Sequence, residues 1–421
     1  MIRKLFRPIL ILSAIILIAT VTLAGCAGGT PAAQAPAAQA PAKVVKPEAV
    51  WFRATIPLTG LYAASMMPSV EAVKESLDLV NTNYGGIDGV PWKYELMDDG
   101  MDVAKAVANY EKFKAAQPKT LITSVWNSSI AEALKQRYNE DGILCLSCSP
   151  SPEATYPAGN IINIIVAYTD GFGMFCDWLA ETQPKPIKLA ILTWDSPFGR
   201  AILTDECKNY AKSKGVDIVA IELFGQTTMD VSTQLTKIKE AGADWVYTNT
   251  LGPGPVVVLK SANALGLLGK MKFAGDHFAM DNDVNMAAGP LAEGFTGYHT
   301  FVTWYETNDP YVQSRIKAFE EKKYPAQYKS QPILCFPAWF EWMRGVYEAT
   351  VKDVGWDKVN AEALKKHFFA TKNQYVKMGY TTLSADKPEP RQARIVQVKE
   401  GKIVPITDWR TAPDLKPASS K

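Results

Sequence analysis

Residues 121–152 read LITSVWNSSIAEALKQRYNEDGILCLSCSPSP. Leu121 to Val125 is a short β-rich run that stops at Trp126-Asn127-Ser128-Ser129, and Ser129 and Glu132 have the spacing of a capping box that starts a helix. A second β-rich run, Ile143 to Ser147, follows and stops at Ser149-Pro150-Ser151-Pro152. Strand, helix and strand in this order are the unit from which parallel α/β sheets are built.

The same alternation extends in both directions. Upstream, Trp51 to Pro57 reads as the first strand. Val70, Val73, Leu77 and Val80 then fall at helical spacing, Tyr94 to Met97 reads as a strand, and Val103, Val107 and Tyr110 mark another amphipathic helix. Downstream, strands are expected at Leu189 to Thr193, Asp217 to Ile221, Trp245 to Asn249 and Met271 to Ala274, with helical stretches between most of them. The body from about Val50 onward is long enough for two domains of ~100 to 200 residues each. The break between them is expected near Ile161 to Gly173, where Ile161, Ile162, Ile164 and Ile165 meet Asp170-Gly171-Phe172-Gly173.

At the N-terminus Arg3, Lys4 and Arg7 precede an apolar run from Ile9 to Leu23 that ends in Leu23-Ala24-Gly25-Cys26. Basic residues, a short apolar run and small residues make a secretion signal over 1–25. The last four residues resemble the lipobox of bacterial lipoproteins. That resemblance implies cleavage before Cys26 and lipidation of its thiol, hence an extracytoplasmic, membrane-anchored chain. From residue 26 to 48 the sequence is Pro/Ala-rich, with Pro31-Ala32-Ala33-Gln34-Ala35 repeated from Pro36 to Ala40, a tether that cannot bury a core. Lys plus Arg total 45 and Asp plus Glu 43, and three of the cations lie in the signal. A near-neutral body with mixed signs gives nucleic acid no electrostatic footing.

Beyond Cys26 the cysteines are Cys145, Cys148, Cys176, Cys207 and Cys335, an odd set that leaves at least one unpaired within the monomer. Cys145 and Cys148 have CxxC spacing, but no second pair and no nearby histidine accompany them, so Cys145 reads as a buried strand residue and Cys148 as a loop residue. His277, His299 and His367 are too scattered in sequence to suggest a metal site. Neither Gly-x-Ser-x-Gly, His-Glu-x-x-His nor a Walker A loop occurs, and Gly171-Phe172-Gly173 lacks the rest of a dinucleotide fingerprint. The expectation is a binding protein without cofactor, metal or catalytic residues.

Ligands of open α/β sheets bind beyond the carboxyl ends of the strands, where helix N-termini offer unpaired N–H groups. Ser128, Ser149 and Ser151 stand there and suit a carboxylate, although each could simply cap a helix. Trp194 and Phe198 stand at another strand end, and Asp276 and His277 follow the strand at Met271.

The order of several short motifs over more than three hundred residues is similar to that of the periplasmic binding proteins for branched-chain amino acids and related ligands. The motifs include Pro57-Leu58-Thr59-Gly60, Gly85-Gly86-Ile87-Asp88-Gly89, Asp98-Asp99, Gly142-Ile143-Leu144, Phe198-Gly199, Ala241-Gly242-Ala243-Asp244, and a closing hairpin at Ile395 to Lys399 and Gly401 to Val404. The resemblance implies the type I fold: two doubly wound parallel-sheet lobes, 49–168 with 301–387 and 169–300 with 388–415, joined by a three-stranded hinge near Tyr168, Phe301 and Pro388. It implies a substrate-binding lipoprotein of an ABC importer, with permease and ATPase subunits as partners. Carried over residue by residue, the carboxylate-binding serine falls on Ser128 and the small and hydroxyl positions on Ser149 and Ser151. The aromatic position of the second lobe falls on Phe198 and another tyrosine position near Leu251. The acid that holds an α-ammonium falls on His277, with Asp276 beside it. Trp126 and Tyr168 are nearby aromatics that could line the pocket or belong to the core. The disulfide of some members would join positions near Met101 and Asn127, neither of which is a cysteine. The expected ligand is a branched-chain or other amino acid if Asp276 holds the ammonium; otherwise it is an aromatic or aliphatic acid or an amide. A ligand-sensing receptor lobe is a third reading.

Overall fold

A computed structural model describes residues 45–60, 62–370 and 383–418. The expected signal, Cys26 and most of the Pro/Ala tether lie outside the described residues.

The first half alternates as its hydrophobic pattern requires: β1 (Val50–Ile56), α1 (Ala63–Tyr84), β2 (Trp92–Asp98), α2 (Val103–Ala115), β3 (Ile122–Val125), α3 (Ser128–Asp141), β4 (Leu144–Ser147), the single turn α4 (Pro152–Thr155) and β5 (Ile161–Asn163). These strands form one parallel sheet in the order β2-β1-β3-β4-β5. The chain continues through α5 (Tyr168–Thr182), β6 (Ile187–Trp194), α6 (Pro197–Arg200), α7 (Asp205–Ser213), β7 (Val216–Phe224), α8 (Ser232–Glu240), β8 (Trp245–Thr248), α9 (Pro253–Ala264), β9 (Lys272–Gly275), α10 (Asn282–Ala288) and β10 (Thr296–His299). After α11 (Pro310–Glu321), α12 (Gln331–Val354) and α13 (Ala361–Ala370) come β11 (Gln392–Lys399) and β12 (Lys402–Pro405). The second sheet runs β12-β11-β10-β9-β8-β6-β7, parallel except where β11 pairs antiparallel with β10 and β12.

Between the sheets the chain passes three times. The segment after β5, the segment after β10 and the segment before β11 lie side by side: the Asn163 N–H donates to the Pro388 carbonyl (2.8 Å) and the Val166 N–H to the Thr300 hydroxyl (3.4 Å). The 301–370 segment returns to the first sheet, where α12 packs on α1 and Phe340 lies 5.1 Å from Phe52 and 5.4 Å from Trp92, ring centre to ring centre. A buried Arg315–Glu75 pair (2.9 Å) ties α11 to α1.

Most strands fall within a residue or two of where the pattern put them. Two escaped: β5 is only three residues long, and β10 is a four-residue run, Thr-Gly-Tyr-His, interrupted by a glycine and without an aliphatic residue. Gly297 in β10 is required there, since a Cβ would fall 2.4 Å from the Gly275 carbonyl oxygen of β9. The helix start in the deciding stretch also differs. Asn127, not Ser129, caps α3, its side-chain oxygen accepting the Ile130 N–H at 3.1 Å. Glu132 instead accepts a hydrogen bond from the Ser151 hydroxyl at 2.7 Å. Among the described residues no helix is long and apolar enough to cross a membrane.

Candidate functional site

The carboxyl ends of five strands from both sheets open on one cavity of about 110 Å³. Trp126 to Ser129 reach it from the end of β3, Cys148 and Ser149 from β4, Trp194 and Phe198 from β6, Leu251 and Gly252 from β8, and His277 and Phe278 from β9. This is where parallel sheets present their loops and helix starts to a ligand.

On the side of the first sheet the polar groups belong to the start of α3. With Asn127 occupied as the cap, Ser128 stands at the first helical position, 3% exposed; its hydroxyl makes no hydrogen bond of ordinary geometry and lies beside the Tyr168 hydroxyl. The first N–H groups of a helix likewise find no acceptor within it. Ser149 is held by its N–H bond to the Ser147 hydroxyl (2.9 Å). The Tyr168 hydroxyl donates to the Cys148 carbonyl (3.3 Å), and burial keeps this phenol well above its usual range, hence neutral. Asn127 donates through Nδ2 to the Met101 sulfur (3.3 Å), so these two side chains touch.

The side of the second sheet is aromatic. Phe198 lies 4.9 Å from Tyr168 and 5.9 Å from Phe278, and Phe301 lies 5.2 Å from His277, all between ring centres. Trp126 faces Phe336 of α12 at 6.1 Å. Burial, reinforced by the neighbouring His299, pushes His277 well below its usual range, so its imidazole is neutral. His277 and His299, far apart in sequence, have ring centres 4.9 Å apart. Yet no group of three or more potential metal ligands forms among the described residues.

Seven of the nine expected ligand residues line the cavity: Trp126, Ser128, Ser149, Tyr168, Phe198, Leu251 and His277. Ser151 and Asp276 do not. The Ser151 hydroxyl is engaged by Glu132 and by the Ala154 N–H, which makes it the cap of α4. Asp276 is fully buried behind the lining, with one oxygen accepting from the Ala279 N–H (3.0 Å) and the other unpartnered. Burial raises its pKa well above the carboxylate range, and it stands behind the lining rather than in it.

Several lining residues were not expected. Phe301, Gln331 and Phe336 come from the returning segment, and Asp281 and Asp283 flank the start of α10. The Asp281 carboxylate accepts the N–H groups of Asn282 (2.6 Å) and Gln331 (3.1 Å); burial, and next the charge of Asp283, push its pKa up to about 8. Cys145 and Cys148 are free thiols, Cys145 buried and Cys148 half-buried in the lining, and desolvation raises both above the usual thiol range.

A family model described as "Periplasmic binding protein" matches residues 54–402. The Leu/Ile/Val-binding protein homolog 1 of Brucella suis biovar 1 is 28% identical over 248 residues, a match that spans 57% of this chain and 63% of that relative. Among solved structures, a branched chain amino acid ABC transporter from Thermus thermophilus with bound valine superposes with a TM-score of 0.77 at 20% identity, covering 87% of this chain and 98% of that one. A solute binding protein from R. palustris in complex with benzoate does so with a TM-score of 0.70 at 22% identity, covering 85% and 95%. The chain belongs to the periplasmic binding protein family, whose model covers it from the first strand into the closing hairpin.

Proposed function

We propose that this chain is the substrate-binding component of an ABC importer and that it captures a small, amine-free carboxylic acid with an aromatic or branched apolar body. The observation that carries this reading is the buried Ser128 hydroxyl, which lines the cavity at the start of α3 beside the Tyr168 hydroxyl and makes no hydrogen bond of ordinary geometry. A carboxylate there would accept from that hydroxyl and from the first α3 N–H groups, and the helix dipole would favour its charge. The ring-lined remainder of the cavity would cover the apolar body. No covalent chemistry is involved, and export with anchoring at Cys26 belongs to the same reading. The segments 49–168 with 301–387 and 169–300 with 388–415 would act as lobes that close by a hinge motion when the ligand bridges them.

Two observations support an amine-free ligand: His277, on which the resemblance places the ammonium-holding acid, is neutral, and the neighbouring Asp276 does not line the cavity. An ammonium buried without a partner costs several kcal/mol, enough to remove micromolar affinity. The solved neighbours carry valine in one case and benzoate in the other, so the shared fold does not choose between the two ligand classes.

Ser128→Ala is expected to weaken binding of such an acid by ~ten- to a hundredfold, the loss of one hydrogen bond to a charged group, while the melting temperature of the empty protein stays put. Ser151→Ala, by contrast, should leave affinity alone and cost about 1 kcal/mol as a lost helix cap. Calorimetric titration of both variants separates the roles; unchanged affinity in Ser128→Ala would remove the carboxylate assignment.

A second reading has one observation behind it, the pair Asp281 and Asp283 in the lining. If that pair held an ammonium, binding would deprotonate Asp281, and affinity would rise with pH up to about 8 and level off above it. An amine-free acid should show no such rise, so the pH profile of the dissociation constant tells the two apart.

A further inference from the structure

We infer that the indole N–H of Trp194 is a specificity-determining hydrogen-bond donor, and that the ligand carries a neutral acceptor such as a hydroxyl, carbonyl or ether oxygen in addition to its carboxylate. This rests on the reading above and narrows its ligand class.

Trp194 ends β6, lines the cavity and is 1% exposed, yet its Nε1 has no hydrogen-bond partner. An indole N–H can only donate, and the great majority of buried donors in folded proteins are paired. The ring is closely confined. Tyr62 and Phe198 stand edge-on at 5.8 and 6.1 Å, and a Cβ at Gly254 would lie 2.8 Å from Trp194 Cζ2. The orphan donor is therefore a fixed feature of the wall.

Several neighbouring polar groups are matched with one another, although the Tyr62 hydroxyl and Asn249 Oδ1 are, like the indole, buried without a partner. Thr248 and Thr250 share a hydrogen bond between their hydroxyls (2.9 Å), Asn249 donates to the Phe198 carbonyl (2.7 Å), and the Ser196 hydroxyl caps α6. The adjacent helix α9 opens Pro253-Gly254-Pro255: the two prolines have no N–H, and that of Gly254 goes to the Leu251 carbonyl at 3.0 Å. This helix start, unlike that of α3, is stripped of donors for an anion. No Lys or Arg lines the cavity either. One neutral donor without a cation fits an uncharged oxygen and not a second carboxylate. Because Trp194 stands on the second sheet and Ser128 beside the first, a ligand that meets both bridges the two.

Two isosteric acids test this, 4-hydroxybenzoate and 4-methylbenzoate, with their 3-substituted isomers to allow for direction. The wild type should bind the better hydroxy isomer about tenfold more tightly than its methyl counterpart, and Trp194→Phe, which keeps a ring but no N–H, should bring the ratio to about one. A ratio that Trp194→Phe leaves unchanged overturns the inference, because the indole would then act only by packing. If none of these acids binds but 4-methyl-2-oxopentanoate or phenylpyruvate does, Trp194→Phe should weaken that oxo acid about tenfold, and an unchanged affinity overturns the inference; binding of none of the six acids overturns it together with the reading it rests on. Loss of the hydroxyl preference with Ser128 dependence intact supports it, whereas preserved binding in Ser128→Ala strikes only the carboxylate assignment.

Discussion

Lys387→Met should lose about 3–5 kcal/mol of unfolding free energy, the range expected when one partner of a buried ionic cluster is removed. Lys387 is 4% exposed and its ammonium lies 2.6 Å from Asp170, 2.9 Å from Asp414 and 3.1 Å from Glu389. Asp170 is at the start of α5 and also accepts the Leu415 N–H (2.9 Å), while Tyr156, next to the first sheet, donates to Glu389. One cation thus ties together the passages that join the two sheets, and its loss leaves buried carboxylates without a counter-charge. Burial alone would lower the lysine's pKa, but the carboxylates around it raise it, so the charge persists. Glu389 responds in the opposite direction: burial pushes it up to about 7 although Lys387 pulls it down. Between about 4.5, its ordinary value, and 7 the folded chain holds a proton that the unfolded chain has released, so this group's contribution to stability falls as pH rises through that window, by up to about 3 kcal/mol. Urea unfolding at several pH values should show Glu389→Gln with a flatter profile than wild type. Equal stability of wild type and Lys387→Met would mean that the cluster holds nothing together.

Ser128→Asp should abolish binding of every carboxylate ligand while leaving the fold intact or slightly stabilised. An aspartate at the first position of α3 is favoured by the helix dipole, worth ~0.3–1 kcal/mol. The same charge would stand where the ligand's carboxylate belongs, and like charges set together in a low-dielectric site cost several kcal/mol, a loss of a hundredfold or more. Circular dichroism and melting temperature matching wild type, with no detectable heat of binding, is the expected pair of results. Retained binding would place the carboxylate elsewhere in the cavity.

The fold was legible because short β-rich runs alternate with amphipathic crossover helices of helical spacing, and the deciding stretch holds two strands and a helix within thirty-two residues. What failed to show were features set by partners distant in the chain. β10 is a strand because β9 and β11 flank it, not because Thr-Gly-Tyr-His favours extension. Ser151 and Ser128 look alike in sequence, two serines beyond adjacent strands, but Ser151 caps α4 by accepting the Ala154 N–H, whereas Asn127 takes the cap of α3 and leaves Ser128 in the cavity lining. Asp276 and His277 are neighbours, but successive residues leave the strand end in different directions, so the histidine lines the cavity and the acid is buried behind it. Phe336 and Gln331 sit within a helix whose apolar stripe reads as core, and nothing local marks which of its residues face a ligand. The prolines at the start of α9 were visible, but their consequence for Trp194 appears only once the two are side by side.

Calorimetric titration at pH 7 with two matched pairs, leucine against 4-methyl-2-oxopentanoate and phenylalanine against phenylpyruvate, tests the central claim most directly, because the members of each pair share a carboxylate and a side chain and differ in the amine. Binding of at least one oxo acid, with neither amino acid bound, is the predicted result; binding of leucine or phenylalanine with neither oxo acid bound would contradict it.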